Sequence, residues 1–377
     1  MNAHHHTETS RLVEQDVLDR IDLALSSRGR HARVDATGLL MAGKLLAEFE
    51  RRANNQVALH IRSVSLAQRR PTYAFFCEDE VYGALALHDR YGYVVLNVGI
   101  VLRIVYFCGR MMATDGLWTK IGKTKSAFSE RVAAETACAH GEATSPPFDL
   151  PDDPLRLAFA TVFAAECFDF IVRHELAHLV LGHCQFMAIG GHKAGMEDSD
   201  GRLAQGVDTI TAQVLEIAAD GHAAIWGVQK LPHVRERLGR LPSGVDEAHR
   251  WFHRTPDDSM LNYLLAMFFV FRLTDENAWN NETLTSRSHP PAPIRFHAAC
   301  LHLIEHFKFT GDADAEGQLL GAMSEIWELG EIIFAQTLDR KADPRIKHNA
   351  LSEKSEQHYN LLHDRAQTLP QSLFGLS

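Results

Sequence analysis

The residues with the clearest chemical potential lie between positions 170 and 183, which read FIVRHELAHLVLGH. Within this stretch, His174, Glu175 and His178 form the pattern HExxH. Residues four apart lie on one face of a helix, so the two imidazoles can bind one metal ion while Glu175 lies beside it. Neutral imidazole suits Zn²⁺, and a neighbouring carboxylate can accept a proton from activated water. The spacing therefore predicts hydrolytic zinc chemistry.

The residues around this motif are apolar on almost every side, from Phe168 to Leu181. An apolar surface all round is typical of a helix buried at the centre of a domain. Burying two histidines and a glutamate there without a partner would be costly, which favours a bound metal ion.

A third ligand is predicted on a later helix, Val207–Lys230, where Glu216 and Asp220 are four apart and share a face. Catalytic zinc sites use three protein ligands and one open position, and two histidines with one glutamate are a recurrent set. We therefore expect Glu216 to complete the set, with Asp220 or His222 as the alternatives. Asp220 is otherwise placed to accept a hydrogen bond from the outer nitrogen of a ligand imidazole, with His174 as the expected partner.

Two nearby positions exclude the longer pattern HExxHxxGxxH, because Leu181 and Cys184 stand where that pattern needs glycine and histidine. His183 would lie roughly 140° around a continuous helix from His178. It is therefore predicted to be hydrogen-bonded within the core and not to bind the metal.

Composition narrows the class of protein. The 377 residues carry a formal net charge of −10 and contain no run of basic residues that could neutralise a nucleic-acid backbone. The N-terminal residues lack a signal-peptide core, and the apolar runs Tyr93–Cys108 and Met260–Leu273 are short of a membrane span. Six cysteines without CxxC spacing are typical of reduced thiols. These features predict a cytoplasmic protein with no membrane span.

The pattern of apolar residues predicts a mainly helical α+β fold, with a small sheet packed on the HExxH helix in a zincin-like domain. Predicted strands are Val57–Leu66, Thr72–Cys77, Val81–His88 and Tyr91–Val98. Predicted helices include Arg11–Ser26, Gly38–Arg52, Gly99–Met112, Ser126–His140, Leu155–Met187, Val207–Lys230, Leu231–Arg254, Ser259–Leu273, a helix starting near Pro293, Ala315–Leu338 and Ser352–Leu369.

Four regions are expected to form one compact unit. They are N-terminal helices at 1–54, a small sheet and helices at 55–150, the helical core with the metal site at 151–310, and C-terminal helices at 311–377. The glycine-containing segment Ala188–Gly206 is predicted to be a loop. Directly after a metal-binding helix, such a loop is either a lid over the cleft or an excursion without a role.

Three motifs follow one another along the chain: HELAH at His174–His178, EIAAD at Glu216–Asp220 and SHPPAPIR at Ser288–Arg295. Together they resemble the pattern of the M48-type zinc metallopeptidases, a gluzincin family, which runs HExxH, ExxAD and (S/T)HPxxxxR. Many members of that family are embedded in membranes, so their substrates are not carried over to this chain. A weaker likeness to the soluble Lit-type phage-exclusion endopeptidases rests on RHELAHLVLGH and on VVLNVGIV at Val94–Val101.

The resemblance implies a role for each matched residue. Zinc would be bound by His174, His178 and Glu216, with Glu175 as general base and acid and Asp220 supporting a ligand histidine. His289 would donate a hydrogen bond in the transition state, for which a tyrosine such as Tyr263 is the alternative, and Arg295 would pair with the acidic residues. Taken without the resemblance, Ser286–Leu303 is an ordinary helix start after a proline-rich turn.

The expected function is therefore a zinc-dependent endopeptidase acting on a protein or peptide. The alternatives are a zinc-containing regulatory or interaction module without proteolytic activity, and a hydrolase acting on another bond. Glu175 favours an enzyme, because a structural zinc site needs no base and is usually closed by four ligands. The sequence identifies neither the substrate nor a regulatory partner.

Overall fold

The computed structural model describes residues 15–26, 40–61, 71–77, 84–123, 150–189, 195–197, 208–275, 284–287 and 289–374. The predicted helix at Ser126–His140 lies outside these residues. Among the helices that are described, none combines the length and the apolar character that crossing a membrane requires.

The described part of the chain is mainly helical, which confirms the predicted α+β class. The helices are α1 (Gln15–Ser26), α2 (Leu40–Ile61), α3 (Val98–Ala113), α4 (Pro154–Val180), α5 (His183–Ile189), α6 (Thr209–Arg240), α7 (Glu247–Phe252), α8 (Pro256–Thr274), α9 (Ala292–Thr310), α10 (Ala313–Thr337), α11 (Arg345–Ala350) and α12 (Glu353–Gln367), followed by a 3₁₀ helix at Gln371–Phe374.

A small mixed sheet accompanies the helices. Its strands are β1 (Thr72–Cys77), β2 (Ala84–His88), β3 (Gly92–Asn97) and the short β4 (Gly195–Glu197), in the order β1-β3-β2-β4. β1 runs parallel to β3, whereas β2 is antiparallel to both β3 and β4. β3 leads directly into α3, because the side chain of Asn97 accepts a hydrogen bond from the backbone N–H of Gly99 and caps the helix.

The secondary structure predicted for several segments is wrong in part. Leu231–Arg254, predicted as one helix, is divided between the end of α6 at Arg240 and α7, which begins at Glu247. The segment Val57–Leu66 was expected to be a strand, but α2 continues to Ile61, and Val57 is buried as part of its core-facing side. The segment Ala188–Gly206 was expected to be a loop, but β4 lies within it, with Met196 opposite Ala86 of β2. At least this part of the segment belongs to the sheet.

Helix α4 lies at the centre of the fold and packs against α2, α3, α6, α7 and α8. Asp153 caps its first turn by accepting from the backbone N–H groups of Leu155 and Arg156. Aromatic rings fill the space around it, as in the pairs Phe163–Phe252 and Phe170–Phe271, whose centroids are both 5.3 Å apart. The prediction of a buried central helix is confirmed.

The start of α4 is held by Arg156, whose side chain is fully buried. Its guanidinium donates to four backbone carbonyl groups in the last turn of α3 and just after it: those of Met112, Leu117, Trp118 and Ile121, at 2.6 to 3.1 Å. Buried carbonyl oxygens need a hydrogen-bond donor. The Arg156 side chain supplies these hydrogen bonds to a stretch of chain where regular secondary structure does not.

Charged residues tie α4 to α2 and α6. Asp169 accepts hydrogen bonds from Arg52 at 2.5 Å, Gln56 at 2.9 Å and Lys230 at 3.2 Å. Lys230 also lies 2.5 Å from Glu166. Buried carboxylates are tolerated only when they are paired, so these contacts define which helices pack around α4.

His60, in the last turn of α2, stacks on Trp226 of α6 with ring centroids 4.6 Å apart. Burial lowers the pKa of His60 to about 4, and the positive charges of Arg173 and Lys230 act in the same direction, while Asp169 acts against them. The folded protein therefore keeps this imidazole neutral at pH values where an exposed histidine binds a proton.

Replacing Arg156 with lysine should lower the free energy of unfolding by about 2–4 kcal/mol, because an ammonium group cannot satisfy four carbonyl groups arranged around a planar fork. Urea denaturation measures the effect. The matched control is Arg240→Lys, which alters an exposed arginine paired with Glu236 and should change stability by less than about 0.5 kcal/mol. Equal effects of the two substitutions would contradict the role of Arg156.

Acidification from pH 7 to pH 5 should destabilise the wild-type protein more than the His60→Gln variant. The pKa of His60 is lowered in the folded state, so the unfolded chain binds the proton first, and stability is lost as the pH falls from about 6.5 towards 4. Urea denaturation at the two pH values tests this. His348→Gln, at an exposed position, should behave like the wild type, and the same result for His60→Gln would refute the prediction.

Candidate metal centre

Three of the predicted ligand residues converge where α4 packs against α6. His174 and His178 lie four apart on α4, and their Nε2 atoms are 3.0 Å from each other. Glu216 of α6 places Oε2 at 3.3 Å from Nε2 of His174 and Oε1 at 3.4 Å from Nε2 of His178. All three side chains are buried. They form a group that could hold a metal ion.

Asp220 and Arg295 extend this group. Oδ1 of Asp220 lies 2.8 Å from Nδ1 of His174, the nitrogen that faces away from the ligand group. Arg295, in the first turn of α9, donates to both oxygens of Asp220 at 2.8 and 3.0 Å, and its guanidinium also lies 3.3 Å from Oε2 of Glu216. The expected positions of Asp220 beside His174, and of Arg295 beside both acidic residues, agree with this arrangement.

The pKa values in this group follow from burial and from its close pairs. Burial acts to lower the pKa of His174, but Asp220 and Glu216 outweigh it and hold that pKa well above its usual value. Burial lowers the pKa of His178 well below its usual value, although Glu216 opposes this. For Glu216, burial is outweighed by His289, His178 and His174, which bring its pKa well below the usual range. A metal ion would therefore displace a proton from His174 when it binds.

The other residues predicted to take part in catalysis, Glu175, His289 and Tyr263, differ in their position relative to the ligand group. Glu175 follows His174 on α4 and is buried. His289 lies with Nε2 at 3.6 Å from Oε1 of Glu216, and its side chain is 19% exposed, the largest value among the residues of this group. Tyr263 is not brought to the metal group, because its hydroxyl donates to the backbone carbonyl of Ala224 and its ring lies against Arg173.

The two alternatives to Glu216 as third ligand are not placed for that role. Asp220 faces the outer nitrogen of His174 and not the atoms that converge. His222 points its Nδ1 at the carbonyl of Ala218 on its own helix, 3.2 Å away, and lies outside the ligand group.

His183 has a role that the sequence analysis missed. It is buried, as expected, but α4 ends at Val180, and Gly182 adopts a left-handed conformation with φ of 77°. Glycine accepts this conformation without strain, so the chain turns and α5 begins at His183. Nδ1 of His183 then lies 2.9 Å from Nδ1 of His178. The prediction of a hydrogen-bonded core histidine is confirmed, whereas the continuous helix on which it was based is wrong.

Gln213 of α6 is a second residue that the sequence analysis did not identify. Its side-chain amide donates to the carbonyl groups of Leu284 and Arg287 at 2.7 and 2.6 Å, and its carbonyl oxygen lies 2.6 Å from Nε2 of His358 on α12. These contacts hold the chain just before His289. An isolated glutamine in an amphipathic helix carries no sequence signal for such a role.

Comparisons with known protein families, with curated proteins and with solved structures found no match to this chain.

Substitution of Glu216 with glutamine should remove most metal binding, because the amide loses the negative charge and one of the acceptor oxygens. The metal content of the purified protein, measured by mass spectrometry after dialysis against zinc, tests this. His222→Gln is the matched control on the same helix and should keep one ion per chain. Loss of the ion in the His222 variant, with retention in the Glu216 variant, would reverse the ligand assignment.

Proposed function

We propose that this protein is a zinc-dependent endopeptidase that hydrolyses a protein or peptide substrate. The observation that carries the proposal is the convergence of His174, His178 and Glu216 within a buried site, with the buried Glu175 next to His174 in the sequence. Peptide hydrolysis is the reaction class that the order of the three sequence motifs also favours.

The choice of zinc rests on the chemistry and spacing of the ligand atoms. Bonds of ~2.0–2.1 Å in a tetrahedral arrangement require ligand atoms that are ~3.3 Å apart. The two Nε2 atoms are 3.0 Å apart, and each lies at a similar distance from a different oxygen of Glu216, 3.3 Å for His174 and 3.4 Å for His178. Two imidazoles and one carboxylate are a recurrent ligand set for catalytic zinc, and three protein ligands leave a fourth position for water or substrate.

Charge balance supports a divalent cation at this place. Glu175, Glu216 and Asp220 bring three carboxylates into the interior, whereas Arg295 brings one guanidinium. Buried charges without a counter-charge are strongly unfavourable. A divalent cation that displaced the proton of His174 would balance the two carboxylates that remain.

When bound, zinc would supply a Lewis acid that lowers the pKa of water and polarises the scissile carbonyl. Glu175 then accepts the proton of the attacking water as the new C–O bond forms. It transfers this proton to the amine nitrogen as the C–N bond breaks. Asp220 and Arg295 keep His174 and Glu216 in place throughout, because their own bonds lie outside the reacting atoms.

His289 is the residue proposed to donate a hydrogen bond to the oxyanion. It lies at the edge of the ligand group and is more exposed than the other members, so substrate would approach from this side. Removal of one such donor costs about 3–4 kcal/mol of transition-state stabilisation in enzymes where it has been measured.

The alternative of a zinc-containing module without activity has less support. A structural zinc site is usually closed by four protein ligands. Within the described part of the chain, the group that could hold an ion contains three.

Glu175→Gln should abolish proteolysis, by at least about 100-fold, while the protein still binds one zinc ion, because position 175 serves proton transfer and not metal binding. The assay compares new peptide N-termini in a cell lysate treated with wild type or variant, alongside zinc analysis of both proteins. Glu328→Gln, at an exposed glutamate on α10, is the control and should retain full activity. An equal set of cleavage products from the Glu175 variant would refute the mechanism.

A further inference from the structure

We propose that His183 is a positioning residue which, together with the backbone carbonyl of Leu373, fixes the ring tautomer of the ligand His178. The inference rests on the proposed role of His178 in binding the metal. It also assigns a role to the C-terminal 3₁₀ helix, where none of the predicted site residues lies.

The contacts form a continuous chain from the ligand to the backbone. Nε2 of His178 faces His174 and Glu216, and its Nδ1 lies 2.9 Å from Nδ1 of His183. On the other side of the ring, Nε2 of His183 lies 2.9 Å from the carbonyl oxygen of Leu373. Both imidazoles are buried, so the contacts are shielded from water.

The hydrogen positions follow from what each atom can do. A carbonyl oxygen only accepts, so the hydrogen of His183 must be on Nε2, and its Nδ1 is left with a lone pair. That lone pair accepts a hydrogen bond from Nδ1 of His178. His178 therefore carries its hydrogen on Nδ1 and directs the lone pair of Nε2 towards the ligand group.

The opposite tautomer of His178 does not fit this arrangement. With its hydrogen on Nε2, His178 would direct that hydrogen into the ligand group and would place the lone pair of its Nδ1 opposite that of His183. The two Nδ1 atoms, 2.9 Å apart and buried with no hydrogen between them, would then repel each other, and a hydrogen bond would be lost.

The acceptor itself is held firmly. Leu373 is buried in the main core, and the neighbouring Phe374 packs against a small apolar cluster made of Ala177, Leu181, Ala218 and Ala219. Ala177 precedes His178, and Ala218 lies two residues after Glu216. The 3₁₀ helix therefore packs against both helices that carry the ligand residues, so the carbonyl group of Leu373 has a defined position.

The two ligand histidines are consequently supported in different ways. His174 has the carboxylate of Asp220 at its outer nitrogen, whereas His178 has a neutral imidazole backed by a carbonyl. A second carboxylate at this position would add negative charge to a group that already contains three. The neutral pair orients His178 without that charge.

The first test measures the tautomer directly in the metal-free wild-type protein. Two-bond ¹H–¹⁵N correlation spectra of protein labelled at histidine nitrogens distinguish the two tautomers, and the His178 signals are those that disappear in His178→Gln. We expect the hydrogen of His178 on Nδ1 and that of His183 on Nε2. A hydrogen on Nε2 of His178 would overturn the proposal, and this outcome requires no folded variant of His183.

The second test measures zinc affinity by competition with a chromogenic chelator. His183→Phe removes the acceptor and should weaken zinc binding by about 10- to 100-fold. His183→Gln should restore affinity to within about threefold of wild type, because its amide can accept from His178 and donate to Leu373. The matched control is His253→Phe, which replaces another buried histidine, hydrogen-bonded to Ser259, and should leave zinc affinity unchanged.

Wild-type affinity in His183→Phe, or an equal loss in His253→Phe, would overturn the assignment. Neither test involves a substrate. A protein that binds zinc as described but cleaves nothing would therefore refute the proposed endopeptidase activity and leave the role of His183 intact.

Discussion

The candidate metal centre is organised around the ion pair between Asp220 and Arg295. The guanidinium of Arg295 binds both oxygens of Asp220 and reaches Glu216, while the other side of Asp220 faces His174. This single contact joins α4, α6 and α9. A bidentate pair of this kind fixes direction as well as distance. The orientation of the Glu216 carboxylate and of the His174 imidazole therefore follows from a cation that is not itself part of the group that could hold a metal ion.

Helix α4 carries buried ionisable residues at two positions along its length, and the partners of both lie on other helices. Asp169 is paired by residues of α2 and α6, and His174 is paired by Asp220 of α6. An otherwise apolar helix can pack in many rotational positions at similar energy. Buried charges that find their partners in only one of these positions penalise the others. The polar residues of α4 thus define its rotation and place both histidines towards α6.

Much of the site could be predicted from sequence because its members lie at helical spacing. His174 and His178, and likewise Glu216 and Asp220, are each four apart, and that spacing alone places each pair on one face. Arg295 was predicted from the resemblance of the SHPPAPIR motif to a family pattern. His183 and Gln213 could not be assigned in this way, because their partners at positions 373, 284 and 358 are far along the chain and include backbone groups, which have no residue type to recognise.

The fold was predictable to a similar degree and for similar reasons. Strands at Thr72–Cys77 and Gly92–Asn97, and the helix after them, follow from local apolar patterns. Val57–Ile61 was misassigned because alternating apolar residues at the end of a helix resemble a short strand over so few positions. β4 has three residues, too few for any periodic signal, and it is held by pairing with β2. The secondary structure of such short segments is determined by tertiary contacts and not by local propensity.

The contact between His183 and Leu373 spans 190 positions of the sequence. During synthesis at about 5–20 residues per second, both ligand histidines leave the ribosome roughly 10 to 40 s before the residue that completes their support. A nascent chain in that interval holds HExxH and Glu216 without the final orienting contact. An ion bound in that interval would lack the support of this contact until the last residues of the chain are synthesised.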